Sequence, residues 1–406
     1  MRSTSTAAAR ICPPVFAELQ ARIDRLAEKA IELVTLQIGD TWLAPPPAAQ
    51  RVLAELDPQD LSLYRYGPTA GLPALREAFA RRVRAHGREV DAEREVLIGN
   101  GGTHALFCAA RAVLDEGDEV LVASPYWPLA PGIFTSCGAV PVDVPLTQRL
   151  YEGPDLDAGA LLTAAISART KAIYVTSPNN PDGKVLSRRD LESIARLARE
   201  HDLWVFSDEV YADTVFEGAH LSIAALEGMR ERTIVLHSLS KSHALAGCRI
   251  GCVVAPAAVV AAGRRVSTHS GFNVAVLMQR VALAALSEDA FPRSARDAYR
   301  TARDRALQAF AGASVIVHAP QGATYLFVDF APAFAAMDPD PRGARPLLAL
   351  LERAVDRGVL VAPGDAFGNG YDACVRLCTT ALPIDRVVVG IERLLEALEA
   401  MRRGDA

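Results

Sequence analysis

Short apolar runs alternate with stretches of helical periodicity through the middle of the chain. EVLIGN, from Glu95 to Asn100, predicts a strand that breaks into a glycine turn, and THALFCAARAVL then repeats apolar residues at helical spacing. EVLVASP predicts a second strand, ending in Pro125. KAIYVTSP, LWVFSDEV and TIVLHSLS predict three more. RRDLESIARLAREH, between the first and second of these, predicts an amphipathic helix with Leu191, Ile194, Ala195 and Leu197 on or near one face. Strands that are apolar throughout and separated by helices predict an α/β fold, its mainly parallel sheet covered on both faces.

Past about position 290 the pattern changes. FPRSARDAYRTARDRALQAF predicts a long helix, and ASVIVHAPQGATYLFVDF two antiparallel strands joined by a glycine turn. LLALLERAVDRGVLVAPGDAF predicts a helix and a strand, CVRLCTT another strand, and DRVVVGIERLLEALEAMRR a closing helix. This is a smaller α+β lobe. The expected division is a large domain over 48–290, a small domain over 291–406, and an N-terminal segment, 1–47, packing on the small domain. The Ala/Pro-rich stretches WLAPPPAA and APAFAAMDPDPRGARP predict loops.

Composition narrows the class. The chain has 406 residues, half of them hydrophobic, with a net charge of -5. It carries no electrostatic footprint for nucleic acid, and no apolar run reaches the roughly 18 to 20 residues that span a bilayer. The N-terminus lacks the apolar core of a signal peptide. The 7 cysteines are scattered, which suits a reducing cytoplasm better than a disulfide framework. Cys248 with Cys252, and Cys374 with Cys378, are too loosely spaced for a zinc site, so no metal is expected.

In parallel α/β sheets ligands sit beyond the carboxyl ends of the strands. Here those ends carry the unusual residues: Gly101-Gly102-Thr103, Tyr126-Trp127, Asn179-Asn180, Asp208 with Tyr211, and Ser238 to Lys241. Lys241 is one of four lysines in a chain that writes its other 39 basic residues (43 minus 4) as arginine. A lysine in a small-residue loop after a buried strand is poorly solvated, and poor solvation favours the neutral, nucleophilic amine. The alternative is an ordinary surface lysine.

Asp208 ends an apolar strand, where a carboxylate is costly without a cation. A protonated pyridine nitrogen would serve, and Tyr211 could donate to a phenolate oxygen of the same ring. A helix N-cap is the alternative. Gly101, Gly102 and Thr103 open a helix whose backbone N–H groups suit a phosphate, with Ser238 and Arg249 positioned to add a hydroxyl and a cation. A capped turn is the plainer reading. Trp127 could stack on an aromatic cofactor or be a core aromatic. Asn180 could be an amide donor to a ring oxygen or part of a turn. Arg376, inside an apolar strand, needs an anion: a substrate carboxylate, or an internal salt bridge.

Together these residues resemble the pyridoxal-phosphate enzymes of the class I/II aminotransferase type. SLSKSHALAGCRIG matches that family's lysine signature, with small residues before Lys241 and Arg249 eight positions on. The resemblance runs from about Gly39 to the last helix. It implies the fold type I architecture, in which a mainly parallel seven-stranded sheet is flanked by helices and a smaller α+β domain follows. Lys241 would anchor the cofactor aldehyde covalently and carry a proton at the substrate α-carbon. Asp208 would keep the pyridine nitrogen protonated, and Asn180 and Tyr211 would hold the ring oxygen. Gly101, Gly102, Thr103, Ser238 and Arg249 would hold the phosphate, with Trp127 stacked on the ring. Tyr66 resembles the family tyrosine that reaches the neighbouring subunit's phosphate, which implies a homodimer with shared sites. Arg376 would bind the α-carboxylate, and Gly39 would line the substrate.

The sequence departs from the family pattern in places. Phe272 stands before Asn273 where a small hydroxyl residue is usual, and Thr268 falls near the place of the arginine that aspartate-specific relatives use. Tyr126 is bulkier than usual and is expected to narrow the pocket. His243 is given no catalytic role. The implied activity is transfer of an amino group between an α-amino acid, apolar or aromatic, and a 2-oxo acid. Pyridoxal-phosphate lyases acting at the β or γ carbon, and specialised synthases, use the same constellation and remain the alternative. The stretch before Gly39 is too short for a DNA-binding module, so a ligand-sensing regulator is not expected.

Overall fold

A computed structural model describes residues 5–11, 22, 24, 32–337 and 345–404. The central sheet has seven strands: β2 (Val96–Asn100), β3 (Glu119–Ser124), β4 (Val140–Pro145), β5 (Thr170–Thr176), β6 (Trp204–Asp208), β7 (Thr233–Ser238) and β8 (Ile250–Val254). Their order is β2-β8-β7-β6-β5-β3-β4. The pairs from β7 through β4 are parallel, whereas β8 is antiparallel to both of its neighbours. Every residue of β3 and β8 is buried, as strands covered on both faces require.

Helices supply those covers. Phe134, Leu106 and Val260 pack on one face of the sheet and Leu162, Leu191 and Ile194 on the other. The helix Arg188–Glu200 starts at a capping box in which Ser187 and Asp190 satisfy each other's backbone N–H, a device worth about 1 kcal/mol. Its buried face includes the four residues expected from the spacing, Leu191, Ile194, Ala195 and Leu197.

The smaller lobe has a four-stranded antiparallel sheet in the order β12-β13-β10-β9, formed by β9 (Ile316–Val317), β10 (Tyr325–Asp329), β12 (Ala362–Pro363) and β13 (Cys374–Cys378). The helices Phe291–Ala309, Pro346–Asp356 and Ile384–Arg402 complete it. Its core holds Phe330, Leu350 and Ile391, and it takes in Val34 and Leu36. Val34 lies in β1 (Val34–Thr35), which pairs in parallel with β11 (Val359–Leu360).

Three local expectations need correction. GVLVAP is two short strands, because the chain leaves β1 after Leu360 and joins β13 at Ala362. WLAPPPAA already begins the helix Pro47–Ala54, since a proline is tolerated at a first helical position. Residues Ala331–Ala335 of the expected loop APAFAAMDPDPRGARP form a short helix, again with proline near its start. Residues 338–344 of that stretch lie outside the described residues.

Candidate active site

Strands β5, β6 and β7 end side by side, with Thr176 in register with Asp208 and Asp208 with Leu236. A cavity of about 380 Å³ opens over these ends. The large lobe brings Gly102, Thr103, Trp127, Asn180, Asp208, Tyr211, Ser238, Lys241 and Arg249 to its wall, β13 brings Arg376, and the segment after β1 brings Gly39. Two of the candidate cofactor-binding residues are not in the wall. Tyr66 is 85% exposed and meets Phe272 edge-on, with ring centroids 4.7 Å apart. Gly101 lies buried just behind it.

Gly101 acts by making room. Its φ is +75°, and a Cβ there would sit 2.5 Å from Nη2 of Arg249. Glycine therefore lets the guanidinium approach the first turn of the helix Gly101–Val113. No side chain caps that helix, so its N-terminal N–H groups remain available. Arg249 donates to the Ala246 carbonyl at 3.1 Å and has no carboxylate partner among the described residues. Helix start, arginine and Ser238 line one side of the cavity with groups that can hold an anion.

Asp208 is buried, and its Oδ2 accepts a hydrogen bond from the Tyr174 hydroxyl at 2.8 Å. Burial raises its pKa to about 6, against the hydrogen bonds from Tyr174 and the Val210 amide that lower it. The helix N-cap alternative fails, because only a turn and a short 3₁₀ segment, Ala212–Thr214, follow the strand. No cation pairs with Asp208 among the described residues, so a buried carboxylate faces the cavity without one.

Asn179 and Asn180 have different surroundings. Asn179 is the turn residue: its Nδ2 donates to Pro125, Thr147 and Asp182. Asn180 faces the cavity, and its Oδ1 accepts from Nη1 of Arg376 at 3.0 Å. The other end of that guanidinium donates to the Gln37 carbonyl at 2.5 Å, and its Nε is buried without a partner among the described residues. The group stacks over the rings of Tyr325 (4.4 Å to the centroid) and Phe367 (4.9 Å). No carboxylate pairs with Arg376 among the described residues, so the internal salt bridge is absent there. Lys241 donates its Nζ proton to the Gly39 carbonyl. Trp127 lines the cavity and packs against the sheet's hydrophobic core.

Sequence reasoning missed several residues of the wall, among them Ile38, Leu129, Thr176 and Tyr325. It also missed Tyr174, which stands behind Asp208. A signal for the tyrosines existed: each lies on a largely apolar strand and carries a hydroxyl that burial obliges to find a partner. Tyr126, expected to narrow the pocket, is not in the wall. It lies partly buried against the core, and its N–H donates to the Phe367 carbonyl. His243 is buried, bonded to Ser242 at 2.8 Å, and burial lowers its pKa to about 3.

The donor set complements pyridoxal phosphate group by group. The capless helix start with Arg249 and Ser238 suits the phosphate. Asp208 suits a ring N–H⁺, Asn180 and Tyr211 suit the ring oxygen, and the Lys241 amine suits the aldehyde. A family model, aminotransferase class I and II, matches residues 31–394. A probable aspartate/prephenate aminotransferase of Thermus aquaticus is 35% identical, over 98% of this chain and 100% of its own. An arginine–pyruvate transaminase of Pseudomonas aeruginosa is 36% identical, over 91% of this chain and 89% of its own. Among solved structures, an aspartate aminotransferase from Thermus thermophilus with maleate superposes with a TM-score of 0.83 at 33% identity. It covers 99% of this chain and 100% of that one. An aromatic aminotransferase from Pyrococcus horikoshii superposes at 0.81 with 27% identity, covering 96% and 100%. With its lysine, buried acid and buried arginine around one cavity, this chain belongs to the class I and II aminotransferases, which are pyridoxal-phosphate-dependent transferases.

Proposed function

We propose that this aminotransferase moves an amino group between an α-amino acid with an apolar or aromatic side chain and a 2-oxo acid. The observation that carries the reading is Arg376, a buried guanidinium with no carboxylate partner among the described residues, in the same cavity as Lys241. A two-pronged bond to an α-carboxylate satisfies Arg376, and Asn180 accepts a hydrogen bond from the guanidinium. Bound pyridoxal phosphate supplies an electron sink for the pair left at the α-carbon. Lys241 takes and returns the α-proton. Asp208 keeps a proton on the ring nitrogen, Asn180 and Tyr211 hold the ring oxygen, and Gly101, Gly102, Thr103, Ser238 and Arg249 hold the phosphate. Trp127 covers the ring, and Gly39 closes the substrate side.

Arg376→Lys keeps a charge but loses the planar fork. The expected result is a fall of roughly 10- to 1000-fold in kcat/KM, most of it in KM, with the enzyme still loaded with cofactor. Steady-state kinetics with one amino acid donor checks it.

The preference for an apolar side chain is supported by Ile38 and Leu129, which line the cavity and are 59% and 54% exposed. Besides Lys241, Arg249 and Arg376, no basic side chain among the described residues lines the wall to meet a second carboxylate. A panel of donors with a common 2-oxo acid acceptor tests this. Phenylalanine or leucine should exceed aspartate in kcat/KM by at least about tenfold, the worth of roughly 1.4 kcal/mol of differential binding. Preference for aspartate would sink it.

The same reading takes the chain as a homodimer in the cytoplasm, divided at 47/48 and 290/291. Tyr66, exposed and outside its own cavity, supports the partner role. No helix among the described residues is long and apolar enough to cross a membrane.

A further inference from the structure

Tyr325 is the point where three parts of the chain meet. It stands on β10, beside the β13 strand that carries Arg376. Its hydroxyl lies 2.8 Å from that of Tyr211 on the large lobe. Both side chains are buried, and their rings meet edge-on with centroids 5.9 Å apart. Against the same hydroxyl lies Gly39, where any Cβ would come within 1.9 Å of it. Glycine at 39 is therefore a condition for Tyr325 to stand where it does, and the carbonyl of Gly39 also accepts from Lys241.

Counting protons decides what the pair can do. Two hydroxyls bring two hydrogens, and the bond between them uses one. If Tyr211 donates, its hydrogen is spent inside the pair. If Tyr325 donates, the Tyr211 hydrogen is free to point into the cavity. Arg376 biases the choice. Its guanidinium lies over the Tyr325 ring, 4.4 Å from the centroid. A cation on the π face draws density from the phenol, which makes its O–H the better donor and its oxygen the poorer acceptor. The charged groups that bear on Tyr211 are Arg376 from the small lobe and Asp208 from the strand beside it.

We propose that Tyr325 is a positioning residue that donates its hydroxyl hydrogen to Tyr211. It thereby couples occupancy of the Arg376 carboxylate subsite to the hydrogen bond that Tyr211 offers into the cofactor cavity. A carboxylate on Arg376 offsets the cation, weakens the Tyr325 donor and so weakens the Tyr211 donor in turn. This rests on the assignment of Tyr211 to the ring oxygen and of Arg376 to the carboxylate. It adds a residue that touches neither group through its own hydrogen but sets the strength of both contacts.

The test is a pH titration of cofactor absorbance in the loaded enzyme, with sodium acetate as the carboxylate probe and sodium chloride at equal ionic strength as control. The unsubstituted enzyme should show a titration midpoint that acetate moves. Tyr325→Phe should raise the acetate-free midpoint by about half a pH unit or more, the scale of one lost hydrogen bond, and cut the acetate response at least in half. Tyr211→Phe should cut that response similarly, and in its background Tyr325→Phe should add no further shift. A Tyr325→Phe enzyme that titrates and responds like the unsubstituted one overturns the proposal. So does a full extra shift in the Tyr211→Phe background, because Tyr325 would then act without Tyr211. Loss of cofactor absorbance from the unsubstituted enzyme would instead overturn the site assignment beneath it.

Discussion

Lys241→Ala should leave a protein that folds and binds pyridoxal phosphate but turns over at least roughly 10³- to 10⁴-fold more slowly, the loss expected when a positioned proton carrier is removed. Borohydride treatment followed by peptide mapping should find the reduced cofactor adduct on Lys241 in the unsubstituted enzyme and on no lysine in the variant. The structure makes the expectation sharp, because no other lysine among the described residues reaches the cavity wall. Lys184 lies over the ring of Tyr151, 4.5 Å from its centroid, and Lys171 is exposed on β5. Lys29 lies outside the described residues. Lys241→Arg should be equally inactive. A guanidinium stays protonated and cannot serve as a nucleophile or exchange a proton at neutral pH. Labelling that persists at another lysine would mean the covalent anchor is elsewhere.

Asp208→Asn should separate activity from stability. Turnover should fall by roughly 10²-fold or more, because a neutral amide cannot hold a proton on the ring nitrogen as a carboxylate does. The cofactor-free variant should nevertheless be the more stable protein. Burial raises the folded-state pKa of Asp208 from 3.8 to about 6, so the folded protein holds this proton more tightly than the unfolded chain. The stability that protonation gives is present in full below about pH 4 and is lost as pH rises through 6. A shift of about two units corresponds to roughly 3 kcal/mol. Thermal melts of the cofactor-free proteins should therefore show the variant ahead at pH 8 and the gap closing toward pH 4. Cofactor affinity of the unsubstituted protein should rise from pH 5 to pH 7 as the carboxylate ionises. A pH-independent gap would show that some other change at position 208 sets the stability.

The strand-end residues were legible in the sequence because each violates its local context. Lys241 interrupts an arginine-rich chain, while Asp208 and Arg376 put charge on apolar strands. The alternation of apolar runs and helices likewise carried the layered architecture. What stayed hidden depends on contacts across long stretches of chain. Tyr325 reaches Tyr211 across 114 residues, and Arg376 reaches Asn180 across 196. No local pattern encodes such pairings, nor the side on which β8 enters the sheet. The split of GVLVAP between two sheets is hidden for the same reason, since each half is read correctly only with its partner strand in view. Tyr126 misled because a bulky residue next to a cavity residue need not face the cavity, and its backbone instead ties the loop to Phe367.

The central claim is that this cavity transfers an amino group and retains it between substrates. The most direct measurement mixes the loaded enzyme with a single amino acid, without any 2-oxo acid, and follows the cofactor absorbance while the products are identified. The account predicts that the visible band converts to that of the amine form, that 2-oxo acid appears in an amount equal to the sites, and that a 2-oxo acid added afterwards restores the original band. Release of ammonia with no lasting conversion of the band would contradict it and assign the site to elimination chemistry.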